Sequence, residues 1–293
     1  MTQCGFVAVV GRPNVGKSTL INAIMGRKIS IVTNKPQTTR HRILAVHTDG
    51  DTQIVFVDTP GIHRKANRAM NRLMNRTAAN ALADADLVLF VSEATRWTEE
   101  DDDVLQRLKS VQAPVIALLN KVDRVHPKER LLEALASFST RYDFAEIFPI
   151  SALKKDNLRE LMAAIPSYLP ESPPLFPEEM HTDRSKEFLA AEVIREKLTQ
   201  MLHQEIPYGL TVQIERYEID DERININAVI LVDRDSQKGI VVGKGGQVLK
   251  TVGQSARLEL CELLDSRVHL ELWVKVKDNW SDSEQDLLRL GYE

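Results

Sequence analysis

Gly11-Arg12-Pro13-Asn14-Val15-Gly16-Lys17-Ser18 stands directly behind the apolar run Phe6–Val10 and ahead of Leu20, Ile21, Ala23 and Ile24, apolar residues that suit a helix. Strand, glycine loop, helix is the setting in which a G-x-x-x-x-G-K-S pattern cradles phosphate. The glycines let successive backbone N–H groups curl around phosphate oxygens, and the helix start adds partial positive charge. Within this pattern Lys17 is placed to bridge the outer phosphates and Ser18 to ligate Mg²⁺, with Thr19 completing the loop's contacts.

Working outward, five more short apolar runs follow: Ile43–Val46, Ile54–Val57, Leu87–Val91, Val115–Leu119 and Ile147–Ile150. Longer polar or amphipathic stretches separate them. Runs without polar alternation are expected of strands buried on both faces, with helices as crossovers. Residues 1–169 therefore read as a doubly wound α/β domain with its ligand at the carboxyl ends of the strands. Pro170, Pro173, Pro174 and Pro177 then crowd into a few positions. Proline neither continues a helix nor serves a central strand, so 170–181 reads as a stiff linker and 182–293 as a second, smaller domain.

A phosphate loop does not choose between ATP and GTP. Asn120-Lys121-Val122-Asp123, immediately after Val115–Leu119, does. A carboxylate at Asp123 accepts from the N1–H and 2-amino group of guanine, whereas adenine leaves it unsatisfied. Lys121 covers the ring face and Asn120 ties this loop to the phosphate loop. Ser151-Ala152, after the next run, offers backbone donors to the guanine O6. Asp58-Thr59-Pro60-Gly61 ends the Ile54–Val57 run, with Asp58 holding Mg²⁺ through water and the Gly61 N–H meeting the γ-phosphate. In the polar loop Gln37-Thr38-Thr39-Arg40-His41, Thr39 is preferred over Thr38 as the last metal ligand. Such loops are ordered by the γ-phosphate and Mg²⁺ and released after hydrolysis. Ile62 occupies the position where Ras-like switches carry a water-orienting glutamine, so hydrolysis is expected to rest on charge stabilisation by Lys17 and Mg²⁺.

Downstream, Arg184–Gln204 carries apolar residues at helical spacing. Strands follow at Thr211–Ile219 and Ile224–Val232, then a glycine-rich turn, a helix over Gln247–Leu264 and an alternating strand, Val268–Lys277. Gly243-Lys244-Gly245-Gly246 opens that helix and fits the Gly-x-x-Gly loop with which KH domains clamp single-stranded backbone. Between Ser236 and Leu258 stand Lys238, Lys244, Lys250 and Arg257 and no acidic residue. An aliphatic groove from Ile240, Val241, Val242, Val248 and Leu249 is expected to receive bases. Arg64, Lys65, Arg68, Arg72 and Arg76 read as a solvated helix face more than as further RNA contacts. Trp273 and Trp280 are expected in the core or at its margin.

In composition the chain has 293 residues, 43% hydrophobic and 27% charged, which supplies apolar material for two cores and excludes whole-chain disorder or coiled coil. Cys4 and Cys261 make no disulfide framework, so a reducing cytoplasm is expected. No apolar run near the start approaches a signal-peptide core or a membrane span. With a net charge of -4, any nucleic-acid surface must be a local patch, and stable DNA binding is not expected.

From Phe6–Ser18 through Gln37–His41 and Thr182-Asp183-Arg184-Ser185 to His269–Lys277, the chain resembles the Era family of ribosome-assembly GTPases. The resemblance implies a P-loop GTPase domain followed by an α+β type II KH domain, GTP and GDP as ligands with Mg²⁺, and a monomer. It further implies binding of the 3′ end of 16S rRNA, a role in maturing the small (30S) ribosomal subunit, and peripheral inner-membrane association in some members. For Asn14 two readings stand: it fits the loop conformation, or it helps hold a K⁺ near the phosphates, as in similar GTPases. Gly245 departs from the family, which has a bulkier residue there.

Overall fold

The computed structural model describes residues 2–61, 68–202, 209–220 and 223–292. The chain falls into two compact units. The first contains most of the chain up to Asp183, the second Arg184 onward together with Ile31–Thr38 and the short segment ending at Arg72.

In the first unit β1 (Gln3–Val10), α1 (Lys17–Met25), β2 (Ile43–Asp49), β3 (Thr52–Asp58), α2 (Ala69–Ala83), β4 (Leu87–Glu93), α3 (Glu99–Leu108), β5 (Val115–Asn120), α4 (Arg130–Ser139), β6 (Glu146–Pro149) and α5 (Leu158–Ala164) follow in order. Every apolar run marks a strand. The sheet order is β2-β3-β1-β4-β5-β6, with β2 antiparallel to β3 and the other pairs parallel. Strand order reverses beside β1, whose neighbours are β3 and β4, and the crevice at such a switch point is where doubly wound sheets bind ligands. All of β5 and nearly all of β4 are buried, as strands covered on both faces require. On one face Phe90 meets Phe138 and Phe144 at ring-centroid separations of 6.0 Å each.

The proline-rich stretch differs from the expected linker. Cys4 N–H donates to the Pro170 carbonyl and Ser172 N–H to that of Thr2. The buried Gln53 side chain accepts from Leu175 N–H (2.8 Å) and Phe176 N–H (2.9 Å) and donates to the Phe176 carbonyl (2.8 Å). Ala45 on β2 pairs with Thr182, Val46 N–H donates to the His181 carbonyl, and Leu44 N–H to Asp183 Oδ1 (3.0 Å). The stretch is a strap on the first unit, and the division between units falls between Asp183 and Arg184. Each proline lacks an N–H to donate, and where Leu175 and Phe176 follow the prolines the Gln53 side-chain amide takes up their backbone groups.

In the second unit α6 (Lys186–Met201), β7 (Leu210–Asp220), β8 (Arg223–Val232), α7 (Asp235–Val242), α8 (Gln247–Leu264), β9 (Val268–Val276) and α9 (Glu284–Arg289) follow. The three strands lie in the order β7-β8-β9, the first pair antiparallel and the second parallel. Ala190, Ile194 and Leu198 of α6 and Val252, Ala256 and Leu260 of α8 form i, i+4 stripes buried in one core with Ile226, Ala228 and Ile230 of β8. Two elements were not legible in sequence: α7, which stands where only a glycine-rich turn was expected, and α9. Ile31–Thr38 counts with this unit because Val32 N–H donates to Glu196 Oε1 (2.8 Å) and the Arg195 guanidinium bonds the Thr38 carbonyl. Trp280 is fully buried, whereas Trp273 is 44% exposed. Asp221 and Glu222, between the two expected strands, lie outside the described residues, as do Ile62, Arg64 and Lys65.

Candidate functional site

The phosphate loop joins β1 to α1. Gly16 has φ 106, and a Cβ there would stand 2.3 Å from Asn120 Nδ2, so only glycine fits. Lys17 is buried, and its Nζ donates to the Gly11 and Arg12 carbonyls at 3.0 Å each. Burial lowers its pKa from 10.5 to about 8, the Asp58 charge opposing that fall. An ammonium held in so dry a place is stabilised when phosphate arrives. Arg12, grouped by motif with the nucleotide contacts, is different: its guanidinium turns to Asp101 Oδ2 (2.9 Å) and Glu93 Oε2 (2.8 Å), leaving its backbone to border the loop. Asn14 is exposed and has φ 63, a left-handed backbone that asparagine tolerates well.

Three elements bring the expected metal ligands together. Ser18 Oγ lies 2.8 Å from Thr39 Oγ1 and donates to Asp58 Oδ2 at 2.9 Å. Thr38 does not join them; its hydroxyl lies 2.6 Å from Thr33 Oγ1 and bonds the Lys35 carbonyl. Asp58 is fully buried, and among the described residues its Oδ1 has no hydrogen-bond partner. Burial pushes that carboxyl up, against the lowering influence of Ser30, Lys17 and Ser18. Two hydroxyls and a buried carboxylate with a spare oxygen form the hard-oxygen donor set that suits Mg²⁺. Thr59 Oγ1 donates to the Val9 carbonyl (2.8 Å) and fixes the start of the Asp58–Gly61 turn. A Cβ at Gly61 would lie 2.9 Å from Pro13 Cγ, so this turn passes close to the phosphate loop.

The residues expected to read the base gather at the ends of β5 and β6. Asn120 Nδ2 donates to the Val15 carbonyl (2.7 Å), while its Oδ1 accepts from Lys121 N–H (2.8 Å) and Ala152 N–H (3.0 Å). Asn120 thus joins three loops, as the sequence suggested for two. Asp123 Oδ1 accepts from Ser151 Oγ at 2.6 Å. Lys121 Nζ donates to the Asn14 carbonyl (2.8 Å) and Glu93 Oε1 (3.0 Å). Val122 N–H is engaged with the Ile150 carbonyl and Ser151 N–H with that of Asp156. The backbone donors expected for guanine O6 are therefore already engaged, and Ala152 N–H reaches O6 only by sharing its hydrogen with Asn120. Glu93 and Asp101 escaped sequence reading altogether. The one signal was Thr98-x-x-Asp101, a capping box at the start of α3.

In the second unit the glycine loop lies between α7 and α8. A Cβ at Gly243 would stand 2.4 Å from Val248 Cγ2, which closes the loop onto the helix. Gly245 and Gly246 face open space, and Lys238, Lys244 and Lys250 are exposed. Ile240 is 51% exposed, but Val241 is 0% exposed and belongs to the core rather than to a groove wall. Helical spacing sends adjacent residues to different faces, so the two could not serve together. Val248, like Leu249, is partly buried against that core, but of the two only Leu249 lines the groove. The groove present, about 500 Å³, has Leu249, Leu270 and Leu272 as its apolar part, with Lys250, Gln254 and Arg257 around it and Gly246 and Gly253 at close approach. Gly253, Gln254 and the two β9 leucines were not assigned from sequence, and Arg257 was counted only as part of the basic stretch.

Two family models match the chain: one described as 50S ribosome-binding GTPase over residues 6–121, and one described as KH domain over residues 205–281. The GTPase Era of Actinobacillus pleuropneumoniae serotype 5b (strain L20) is 50% identical over 292 residues, covering 99% of this chain and 96% of that protein. The GTPase Era of Pasteurella multocida (strain Pm70) is 49% identical, covering 99% and 95%. Among solved structures, Era in complex with MgGDPNP and nucleotides 1506-1542 of 16S ribosomal RNA is 41% identical, with a TM-score of 0.96 and coverage of 100% of this chain and 99% of that one. An Aquifex aeolicus Era variant bound to GDP and tetrafluoroaluminate is 41% identical, with a TM-score of 0.95 and coverage of 99% of each chain.

Proposed function

Because the chain belongs to the Era family of GTPases, we propose that it is a GTP-hydrolysing switch that binds the 3′ end of 16S rRNA and assists maturation of the small ribosomal subunit. The observation that carries this reading is the match over 100% of the chain to an Era crystallised with both MgGDPNP and nucleotides 1506-1542 of 16S rRNA. Gly243–Gly246 and the lysines around it take the phosphate backbone, and the groove beside Leu249 takes bases.

At the nucleotide, Mg²⁺ would be held by Ser18, Thr39 and, through water, Asp58, and would supply positive charge to the phosphates. Lys17 leaves the Gly11 and Arg12 carbonyls for the outer phosphates. Gly61 N–H donates to the γ-phosphate, and Asp123 accepts from the guanine edge. With a residue at position 62 that neither donates nor accepts, rate enhancement comes from charge already in place. The left-handed backbone at Asn14 accounts for that residue without K⁺; equal hydrolysis rates in K⁺ and Na⁺ buffers would retire the potassium role. Among the described residues no helix is long and apolar enough to cross a membrane; flotation with inner-membrane vesicles tests the peripheral attachment that the family resemblance implies. The proposed monomer is checked by light scattering.

Crosslinking of the purified protein to an RNA of the 16S 3′-terminal sequence, with GTP or GDP, tests the central reading. Gly245→Asp places a carboxylate in open space at a left-handed position, which aspartate tolerates, and should abolish the crosslink while leaving GTP binding intact. An undiminished crosslink in that variant removes the glycine loop from RNA binding.

A further inference from the structure

Arg12 has two carboxylate partners, and they belong to different elements. Asp101, fully buried in the first turn of α3, accepts Arg12 Nε on Oδ2 at 2.9 Å. The same oxygen caps α3 by accepting from Thr98 N–H and Thr98 Oγ1, each at 2.9 Å, while Oδ1 accepts from Ser92 Oγ at 3.1 Å. Glu93, at the end of β4, accepts Arg12 Nη2 on Oε2 at 2.8 Å and Lys121 Nζ on Oε1 at 3.0 Å. Lys121 Nζ then returns to the phosphate loop at the Asn14 carbonyl, 2.8 Å away. Arg12–Glu93–Lys121–Asn14 is a chain of charge-assisted bonds running from the phosphate loop to the base-reading loop and back, with Asp101 attached to it at Arg12.

We propose that Glu93 and Asp101, neither of them in a nucleotide-binding motif, are positioning residues that hold the phosphate loop and Lys121 in register and so set the lifetime of bound guanine nucleotide. The physical reason is competition for Glu93. A guanidinium favours two parallel bonds to a single carboxylate. Asp101 prevents that by occupying Arg12 Nε, which leaves Glu93 Oε1 to Lys121. With Asp101 neutral, Arg12 closes on both oxygens of Glu93 and displaces Lys121, whose stem then leaves the face of the base. Burial by itself would raise the Glu93 carboxyl, yet bonds from Lys121 and Arg12 hold it below its ordinary value, so it is a carboxylate for both cations at neutral pH. The inference rests on Asn120–Asp123 being the base-reading loop. Comparing GDP with ADP affinity in the unaltered protein tests that reading separately.

The experiment is release of a fluorescent GDP, followed by stopped flow in the full chain with Mg²⁺. Asp101→Asn keeps an acceptor for the α3 cap and removes the charge; release should quicken about tenfold, the scale of couplings within one ion-pair network. Lys121→Ala should quicken release similarly, and the double variant should be little faster than the faster single one, because the lysine has already lost its seat. A double variant equal to the product of the two singles, about a hundredfold, overturns the chain, and so does unchanged release in Asp101→Asn. Thr98→Ala separates capping from positioning: it should lower the melting temperature and leave release unchanged. Should Asp101→Asn fail to fold, Glu93→Gln decides, because Glu93 caps no helix. Faster release at an unaltered melting temperature supports the proposal, and unaltered release overturns it.

Discussion

Lys17 should make nucleotide binding a proton-coupled event. In the nucleotide-free site its ammonium is buried among the Gly11 and Arg12 carbonyls, and desolvation lowers its pKa from 10.5 to about 8. At 1.36 kcal/mol per unit, the protonated form is disfavoured by roughly 3 kcal/mol relative to water. Phosphate oxygens supply the missing counter-charge and return the pKa upward. Between pH 8 and the bound value, GDP must therefore bring a proton with it. Affinity should be flat near pH 7 and weaken through pH 8 to 9, approaching a tenfold loss per unit. Folding has the opposite sign. From about pH 8 to the ordinary lysine value the unfolded chain holds a proton that the folded empty site has lost, so stability of the empty protein rises with pH there. Below pH 8 both states are protonated and the penalty is present in full. Calorimetry of GDP binding in buffers of different ionisation enthalpy counts the protons directly. About half a proton should be taken up at pH 8 and nearly none at pH 7. No uptake at pH 8, with an affinity flat to pH 9, would refute the argument that burial governs this lysine.

Three further outcomes follow from particular contacts. Asp123→Asn exchanges an acceptor for an amide that faces the guanine 2-amino group with a donor; GTP affinity should fall about a hundredfold or more and xanthosine triphosphate, with a C2 carbonyl, should gain, both read by competition against labelled GDP. Gly253→Ala fills space at the groove with a methyl group whose nearest neighbour, Leu272 Cδ1, is 3.5 Å away; unfolding should require about 0.5–1 kcal/mol more because the helix gains propensity, while RNA affinity falls, and a variant that is more stable with undiminished RNA binding would show that no base approaches Gly253. Gln53→Ala strips three bonds from the strap and leaves Leu175 and Phe176 N–H groups without their acceptor, a cost of roughly 2–4 kcal/mol; limited proteolysis should then cut within 170–178 much faster, and an unchanged cleavage rate would mean that the strap is held by its other contacts alone.

What the sequence made legible divides by the range of the physics involved. The phosphate loop, the strand runs and Asn120–Asp123 could be read because each is a local pattern whose spacing fixes its own geometry: a glycine where no Cβ fits, a carboxylate after a buried strand. The convergence of Ser18, Thr39 and Asp58 was legible only as order along the chain, and the structure adds the contact of Ser18 with Thr39 while Thr38 bonds Thr33 and Lys35. Val241 was misread because hydrophobicity suits a core and an aliphatic groove equally; only the placement of α7, invisible behind Gly239 and a short β-branched run, separates it from Ile240. The strap was misread for a related reason. Four prolines announce an extended backbone without saying what lies beside it, and the answer is a glutamine more than a hundred positions upstream. Asp101 shows the same limit most sharply. Its sequence context explains a helix cap and nothing more, since the guanidinium that shares its oxygen arrives from the phosphate loop 89 positions away. A carboxylate that caps the start of a helix in sequence can thereby hold a nucleotide loop in space, and only non-local pairing of buried charge, which no local pattern encodes, tells the two duties apart.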